Sequence, residues 1–324
     1  MVKKFILIFA AGLIAIASRS TLFASDKINS QALGHYIMGV VYDDLGDVDK
    51  AIREYRSALS ADNEVVAIHL NLATSLIKKN DLERAIEELK LVIRLDPEAV
   101  EPHAILAILY SIQNKVTLAQ GEYEVALKNA SKLDPNDIEV YYSLGSLYLK
   151  QDKAQEALRA FKLISVLSPA DPKAHFYLGI VYEQLKNYDL CEKELKKALE
   201  LNPDYAEALN YLGYEYAEWG KNLNEAEALI NKALESDPNN GAYIDSLGWL
   251  YYKKGRIKEA EELLEKAGSL MEDPVIYDHL GDVYLKLNQA DKAKKSWQSS
   301  LEMQPNQDQI LKKLDSLSHL PSAK

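Results

Sequence analysis

One apolar motif recurs along most of the chain at a nearly constant spacing. It consists of a large apolar residue, a glycine or alanine, two variable positions, and a tyrosine or leucine, as in LGSLY at residues 144–148. Successive copies follow one another at a period of about 34 residues, and self-similarity at such a period indicates stacked copies of one small structural unit. The eight copies begin at Met38, Leu72, Leu106, Leu144, Leu178, Leu212, Leu247 and Leu280.

Further small residues and a turn signal follow each motif. A small residue stands twelve positions after the glycine or alanine in seven copies and thirteen positions after it in the sixth copy. Most units then end in a turn with proline, such as Asp134-Pro135, and proline prevents a helix from continuing. The small residues are Ala51, Ala85, Ala119, Ala157, Cys191, Ala226, Ala260 and Ala293.

This combination of period, motif, small residues and closing proline resembles the tetratricopeptide repeat, over residues 32–307. The resemblance implies an all-α fold, a right-handed superhelical solenoid of about eight helix-turn-helix repeats. Four additional residues in the third unit, near Asn129 to Lys132, predict one extra turn in its second helix. The units are expected to begin near residues 32, 66, 100, 138, 172, 206, 241 and 274.

Residues 308–324 follow the last unit and predict a C-terminal capping helix and tail. Ile310, Leu311, Leu314 and Leu317 are spaced to share one apolar helix face, which would cover the end of the solenoid.

The N-terminus carries a different apolar pattern. Lys3 and Lys4 precede an apolar run from Phe5 to Ala17. This run is shorter than the stretch of about 20 residues that a membrane-spanning helix needs. The pattern predicts a signal peptide over residues 1–24, with cleavage after Ala17 or Ala24, and a linker over residues 25–31. The protein is then expected to be exported, periplasmic or secreted, with no stable transmembrane segment. In the alternative, an uncleaved segment anchors it to the inner membrane.

Charge and cysteine content narrow the functional classes. The chain has 38 Lys and Arg against 49 Asp and Glu, a net charge of −11, and no basic run outside the N-terminus. Nucleic-acid binding requires clustered positive charge, so nucleic acid is not an expected partner. Cys191 is the only cysteine, which excludes an intrachain disulfide and leaves stability to packing.

The motifs of enzymes, cofactor sites and metal sites are not found in the sequence. His35, His69, His103 and His175 occupy the same position of four units, but equivalent positions of stacked repeats lie too far apart for direct zinc ligation, so we expect these histidines to pack. No catalytic residue, cofactor, metal or small-molecule substrate is expected. An enzyme would instead require a polar pocket, shared for example by Asp245, Asp278, Asp282 and Lys286, with strongly shifted pKa values.

The resemblance also indicates where partners would bind. In this family, positions 2, 5, 9 and 12 of each first helix line a concave groove. An aromatic and apolar groove suits an extended or helical protein segment with apolar anchors and basic flanks. In the alternative, these aromatic residues pack against the neighbouring first helix. The predicted protein-binding residues are Tyr36, Val40, Ile108, Tyr142, Phe176, Ile180, Tyr214, Trp249 and Tyr252. The acidic residues predicted to border them are Asp43, Glu139, Glu183, Glu207, Glu218, Asp245, Asp278 and Asp282.

These observations favour a non-catalytic scaffold or adaptor that binds protein or peptide partners in the bacterial cell envelope. The last units resemble those of bacterial envelope repeat proteins, although the chain lacks the lipid-accepting cysteine that many of them carry. The alternative is a subunit of an envelope secretion or biogenesis machine, of the polysaccharide export or cytochrome assembly type.

Overall fold

The computed structural model describes residue 28 and residues 30–318. That part of the chain holds seventeen α-helices and no strand, which confirms the predicted all-α fold class. The chain divides into two compact halves, residues 1–167 and 168–324, here called the N-terminal and C-terminal halves. The predicted signal peptide, the tail from residue 319, and all of the predicted linker except residues 28, 30 and 31 lie outside the described residues.

Consecutive helices pack in pairs within each half, and a short turn joins the two helices of a pair. The odd-numbered helix of each pair carries the recurring motif, and the even-numbered helix carries the regularly spaced small residues. The N-terminal half contains α1 (Ser30–Asp44), α2 (Val48–Ala61), α3 (Val66–Lys78), α4 (Leu82–Leu95), α5 (Glu101–Ile112), α6 (Val116–Leu133), α7 (Ile138–Lys150) and α8 (Ala154–Leu167).

The C-terminal half repeats the same arrangement and adds one helix. Its helices are α9 (Pro172–Gln184), α10 (Tyr188–Leu201), α11 (Ala206–Trp219), α12 (Leu223–Ser236), α13 (Gly241–Lys253), α14 (Ile257–Leu270), α15 (Pro274–Lys286), α16 (Ala290–Met303) and α17 (Asp308–Ser318).

The motif glycines allow the two helices of a pair to approach closely. A Cβ atom added to Gly145 would lie 2.5 Å from the Phe161 ring, and one added to Gly248 would lie 2.8 Å from Cγ of Leu264. Both distances are too short for real contacts, so any larger residue would force the helices apart. The small residues of the even-numbered helices are fully buried at the same contacts. They are Ala51, Ala85, Ala119, Ala157, Cys191, Ala226, Ala260 and Ala293.

The turn between the two helices of each pair contains a residue in the left-handed backbone region. This conformation ends the first helix sharply and is tolerated best by glycine and asparagine. Lys186 is the costly exception, since a lysine with φ of +57° has a Cβ atom close to the backbone. The nine residues are Gly46, Asn80, Asn114, Asp152, Lys186, Gly220, Asn222, Gly255 and Asn288, of which Gly220 and Asn222 share one turn.

Two helices differ from the regular pattern. Helix α6 has 18 residues, whereas the other even-numbered helices have 14, which confirms the extra turn predicted in the third unit. Helix α17 packs Ile310 into the core of the C-terminal half, with Leu314 and Leu317 partly buried beside it. Leu311 was expected on the same face but is 49% exposed, because it follows Ile310 by one residue and therefore points about 100° away.

Within residues 30–318, no helix combines the length and the apolar character that crossing a membrane requires.

Candidate protein-binding groove

The predicted groove residues of the N-terminal half lie on the odd-numbered helices and are mostly partly buried. Tyr36 and Val40 of α1 pack against the core, and Nδ2 of Asn71 donates a hydrogen bond of 2.9 Å to the Tyr36 hydroxyl. Ile108 of α5 is partly buried. Tyr142 of α7 is only 4% exposed, and its ring centroid lies 6.2 Å from that of Phe161. Tyr142 therefore offers little free surface to a partner.

In the C-terminal half, Phe176 is the centre of a first aromatic cluster. Its ring centroid lies 5.5 Å from that of Tyr177, 5.3 Å from that of Tyr205 and 5.8 Å from that of Tyr211. Ile180 follows Phe176 by one turn of α9 and is also partly buried. Phe176 and Ile180 thus belong to an apolar surface that α9 and α11 share.

A second cluster joins Tyr214, Trp249 and Tyr252, the three remaining predicted residues. The Trp249 indole is stacked between two rings, with centroid distances of 4.8 Å to Tyr252 and 4.0 Å to His279. The Tyr214 ring lies 6.2 Å from that of His279, and burial raises the pKa of the Tyr214 hydroxyl. His279 of α15 was not predicted, and it joins side chains from three successive odd-numbered helices.

The predicted place of Trp249 at the groove had suggested an exposed side chain, but the structure buries it. It is 7% exposed, its Nε1 donates to a carboxylate oxygen of Glu218, and the Lys253 ammonium lies 4.8 Å from its ring centroid. The sequence position of Trp249 predicts that its side chain points towards the groove. It does not predict that His279 of α15 stacks on the indole. The contacts of Trp249 with His279 and Glu218 agree with packing between first helices at this position, whereas Tyr142 packs on Phe161 of the second helix α8. The role of both residues in binding stays a prediction.

Most of the predicted acidic border is already paired within the chain. Asp43 accepts from Lys78 at 2.8 Å, and Asp245 lies 2.9 Å from Nδ1 of His279. Lys313 of α17 lies 2.7 Å from Asp278 and 2.8 Å from Asp282. Glu183 is a partly buried member of the border whose carboxyl has no hydrogen bond or ion pair in the described part of the chain.

The four residues that an enzyme would need do not share one pocket. Asp282 and Lys286 line an open cleft of about 440 Å³ together with Tyr252. Asp278 lines a different cleft of about 400 Å³, beside the start of α17, and Asp245 lines neither. Burial raises the pKa of Asp282, and the Lys313 ammonium opposes this effect. The converging polar pocket expected of an enzyme is therefore not formed by these residues.

Glu215 of α11 is a buried carboxyl group that the sequence reading did not single out. It is 6% exposed, and burial raises its pKa to about 8, with the Glu183 and Glu218 carboxyls adding to the shift. A buried carboxylate without a cation is unfavourable, so the proton remains bound at neutral pH. The sequence signal was available, because Glu215 occupies a motif position that is apolar in most copies.

The four position-equivalent histidines each pair with a glutamate of the second helix in the same repeat. The Nδ1 atoms of His35, His69, His103 and His175 lie 2.6–2.7 Å from an oxygen of that glutamate. Burial alone would lower the pKa of His69, but its bonds to Glu88 and the Asn63 carbonyl raise it overall. The histidines thus join the two helices of a pair. Among the described residues, no three His, Cys, Asp or Glu side chains form a group that could hold a metal ion.

Cys191 is fully buried in α10. Burial raises the pKa of its thiol to about 12, with the Glu215 and Glu183 carboxyls adding to the effect. A thiol with this pKa is fully protonated at neutral pH and is a poor nucleophile.

Models of one family match successive stretches that together cover more than half of the chain. All are described as tetratricopeptide repeat or TPR repeat models. They match residues 44–109, 116–152, 138–170, 172–205, 194–228, 241–267 and 275–307.

Two curated relatives match only parts of the chain. A TPR repeat-containing protein of Pseudomonas aeruginosa is 26% identical over 174 residues, which is 52% of this chain and 30% of that protein. A general transcriptional corepressor of Schizosaccharomyces pombe is 30% identical over 74 residues, or 22% of this chain and 7% of that protein. The chain thus spans less than a third of the length of either relative.

Two solved structures share the fold over a larger part of the chain. A tetratricopeptide repeat protein from Parabacteroides merdae has a TM-score of 0.63 at 22% identity, covering 78% of this chain and 99% of that one. Yeast Tom70 has a TM-score of 0.51 at 21% identity, covering 94% of this chain and 69% of that one. At these identities the likeness shows the fold alone.

Proposed function

Because the chain belongs to the tetratricopeptide repeat family, we propose that it is a scaffold of the bacterial cell envelope that holds protein segments on its groove face. The groove face means, in each half by itself, the surface of the odd-numbered helices that carries the predicted residues. These are Tyr36, Val40 and Ile108 in the N-terminal half and Phe176, Ile180, Tyr214 and Tyr252 in the C-terminal half. Proteins of this family bind protein partners, and their repeats typically form non-catalytic scaffolds.

The aromatic surface of the C-terminal half carries this proposal. Phe176 and Tyr211 contribute one cluster, and Tyr214 and Tyr252 contribute another, all on first helices. Partly buried aromatic side chains on rigid helices are favourable anchors for a peptide, because they offer contact area at little cost in conformational entropy.

The envelope location is part of the proposal and rests on the sequence of residues 1–24. A basic start, an apolar run from Phe5 to Ala17 and small residues at the candidate cleavage sites support export. The resemblance of the last units to bacterial envelope repeat proteins gives it further support.

Selection from a displayed peptide library tests the binding surface. We expect the purified protein to enrich peptides with apolar anchors, and Ile180→Ala to weaken binding of a selected peptide about fivefold or more, since a lost anchor costs about 1 kcal/mol or more. Val166→Ala is the matched control, because Val166 is an exposed residue of the second helix α8. Equal effects of the two substitutions, or no enrichment by the wild type, would contradict a groove-face site.

Fractionation of a Gram-negative host that expresses the complete coding sequence tests export. The protein is expected in the periplasmic fraction with Ser18 or Ser25 as its first residue, depending on the cleavage site. N-terminal sequencing provides the measurement. An intact N-terminus in the membrane fraction would instead support the anchored alternative.

A further inference from the structure

The fourth residue of the recurring motif is unusual in one copy only. In that copy it is Glu215, whereas every other copy has an apolar residue or serine there. The position is buried in every copy except the first, and Glu215 is buried as well. An ionisable group therefore stands at a buried position where every other copy carries an uncharged side chain. The equivalent residues are Val41, Ser75, Leu109, Leu147, Val181, Leu250 and Val283.

No cation or hydrogen-bond donor in the described part of the chain partners the Glu215 carboxyl. The groups that act on it electrostatically are the carboxyls of Glu183 on α9 and Glu218 on α11, and both are acidic. In turn, Glu215 acts on the Tyr211 hydroxyl and on the Cys191 thiol of α10, neither of which is charged at neutral pH. The charge of Lys186 acts on Glu183, without an ion pair. An unpaired buried carboxyl costs stability, so a fold under no other constraint would not retain it.

The same half of the protein shows how such carboxyls are satisfied. Asp278 and Asp282 lie one turn apart on α15, and Lys313 of α17 donates to both, at 2.7 and 2.8 Å. Glu183 and Glu215 are the comparable pair on α9 and α11, but no basic side chain of the described residues reaches them.

We propose that Glu183 and Glu215 form a subsite for a lysine or arginine side chain of the protein segment held on the groove face. The inference rests on the proposed scaffold function and adds the chemistry of the partner. The aromatic rings of Phe176 and Tyr211, 5.8 Å apart at this contact between α9 and α11, suit the alkyl stem of such a side chain. A basic group also matches the net charge of −11.

Binding of a basic side chain should displace a proton. The free protein holds Glu215 largely protonated at pH 7, because its pKa is raised to about 8. An ammonium or guanidinium group favours the ionised carboxyl, so the pKa falls when the cation binds. The complex then contains one proton fewer than the separated partners.

Peptide display with charge variants tests this subsite. Dodecapeptides selected by the wild-type protein are expected to share a lysine or arginine at one fixed distance from their apolar anchor. Replacing that residue with norleucine in a synthetic peptide should weaken binding about tenfold to the wild type but not to Glu215→Gln or Glu183→Gln. Glu235→Gln is the matched control, since Glu235 is an exposed residue of α12, and it should behave as the wild type. Glu215→Leu restores the motif's usual residue type and replaces the glutamine variant if that one unfolds.

Calorimetry in buffers of different ionisation enthalpy supplies the second readout. Near pH 7 the wild type should release close to one proton per bound basic peptide, and Glu215→Gln should release none. Selected peptides without a shared basic position would overturn the subsite but leave the scaffold function intact, whereas a failure to select any peptide would overturn both. An equal loss of affinity in Glu235→Gln would reduce the effect to general surface charge and also overturn the subsite.

Discussion

Replacing Trp249 with alanine is expected to lower the free energy of unfolding by about 3–5 kcal/mol, the usual cost of truncating a buried tryptophan. The substitution removes the ring that separates Tyr252 from His279 and the donor that satisfies Glu218. All three tryptophans of the chain, at positions 219, 249 and 297, lie in the C-terminal half. The fluorescence of Trp219 and Trp297 therefore reports the unfolding of the variant in denaturant.

Trp249→Phe separates the two contributions of this side chain. Phenylalanine retains a ring for stacking but cannot donate to Glu218, so its cost should lie well below that of alanine. If Trp249→Ala instead changed stability by less than about 1 kcal/mol, the indole would behave as a surface group and its stacking on His279 would have no energetic weight.

Replacing Glu215 with leucine is expected to stabilise the protein, and the gain should depend on pH. The folded-state pKa of Glu215 is raised to about 8, above the 4.5 that is usual for glutamate. Below pH 4.5 the group is protonated in both the folded and the unfolded chain and costs no ionisation energy. As pH rises from 4.5 to 8, the unfolded chain ionises while the folded chain does not, so the wild type loses stability.

Chemical unfolding at several pH values measures this effect. The gain from Glu215→Leu should be smallest near pH 4.5 and should grow to about 1–4 kcal/mol at pH 8, the range known for buried ionisable groups that give way to hydrophobic ones. Glu235→Gln should show no such trend. A gain that does not change with pH, or a loss at every pH, would contradict a buried and protonated Glu215.

The fold could be predicted from the sequence because its period determines most of the structure. Each motif places a glycine or alanine at a helix contact, and each closing proline or left-handed turn residue determines where a helix ends. The four extra residues before Lys132 could only lengthen α6, since they interrupt no motif. Leu311 was placed wrongly, because a helix of 11 residues has too few apolar positions to define the centre of its buried face.

For the site, the sequence predicts only which way each side chain points from its helix. Trp249 follows the buried Ile244 by five residues and so lies about 140° around the helix from it, which directs it towards the groove. This rotation does not tell what the next repeat contributes there. His279 lies in that next repeat, and no motif marks it. Glu215 was visible as an acid at a motif position that is apolar in most copies. Its burial and the acidic groups around it appear only in the structure, because they depend on how α9 and α11 pack.

The burial of Cys191 has a consequence for the proposed export. A lone thiol in an oxidising compartment can couple to another chain or to a small disulfide, and the thiolate is the form that reacts. Here the thiol is fully buried and its pKa is raised to about 12, so the reaction must wait for α10 to separate from the helices that cover it. Packing therefore protects the thiol from oxidation. The rate at which a thiol reagent labels Cys191 measures how often local unfolding exposes it.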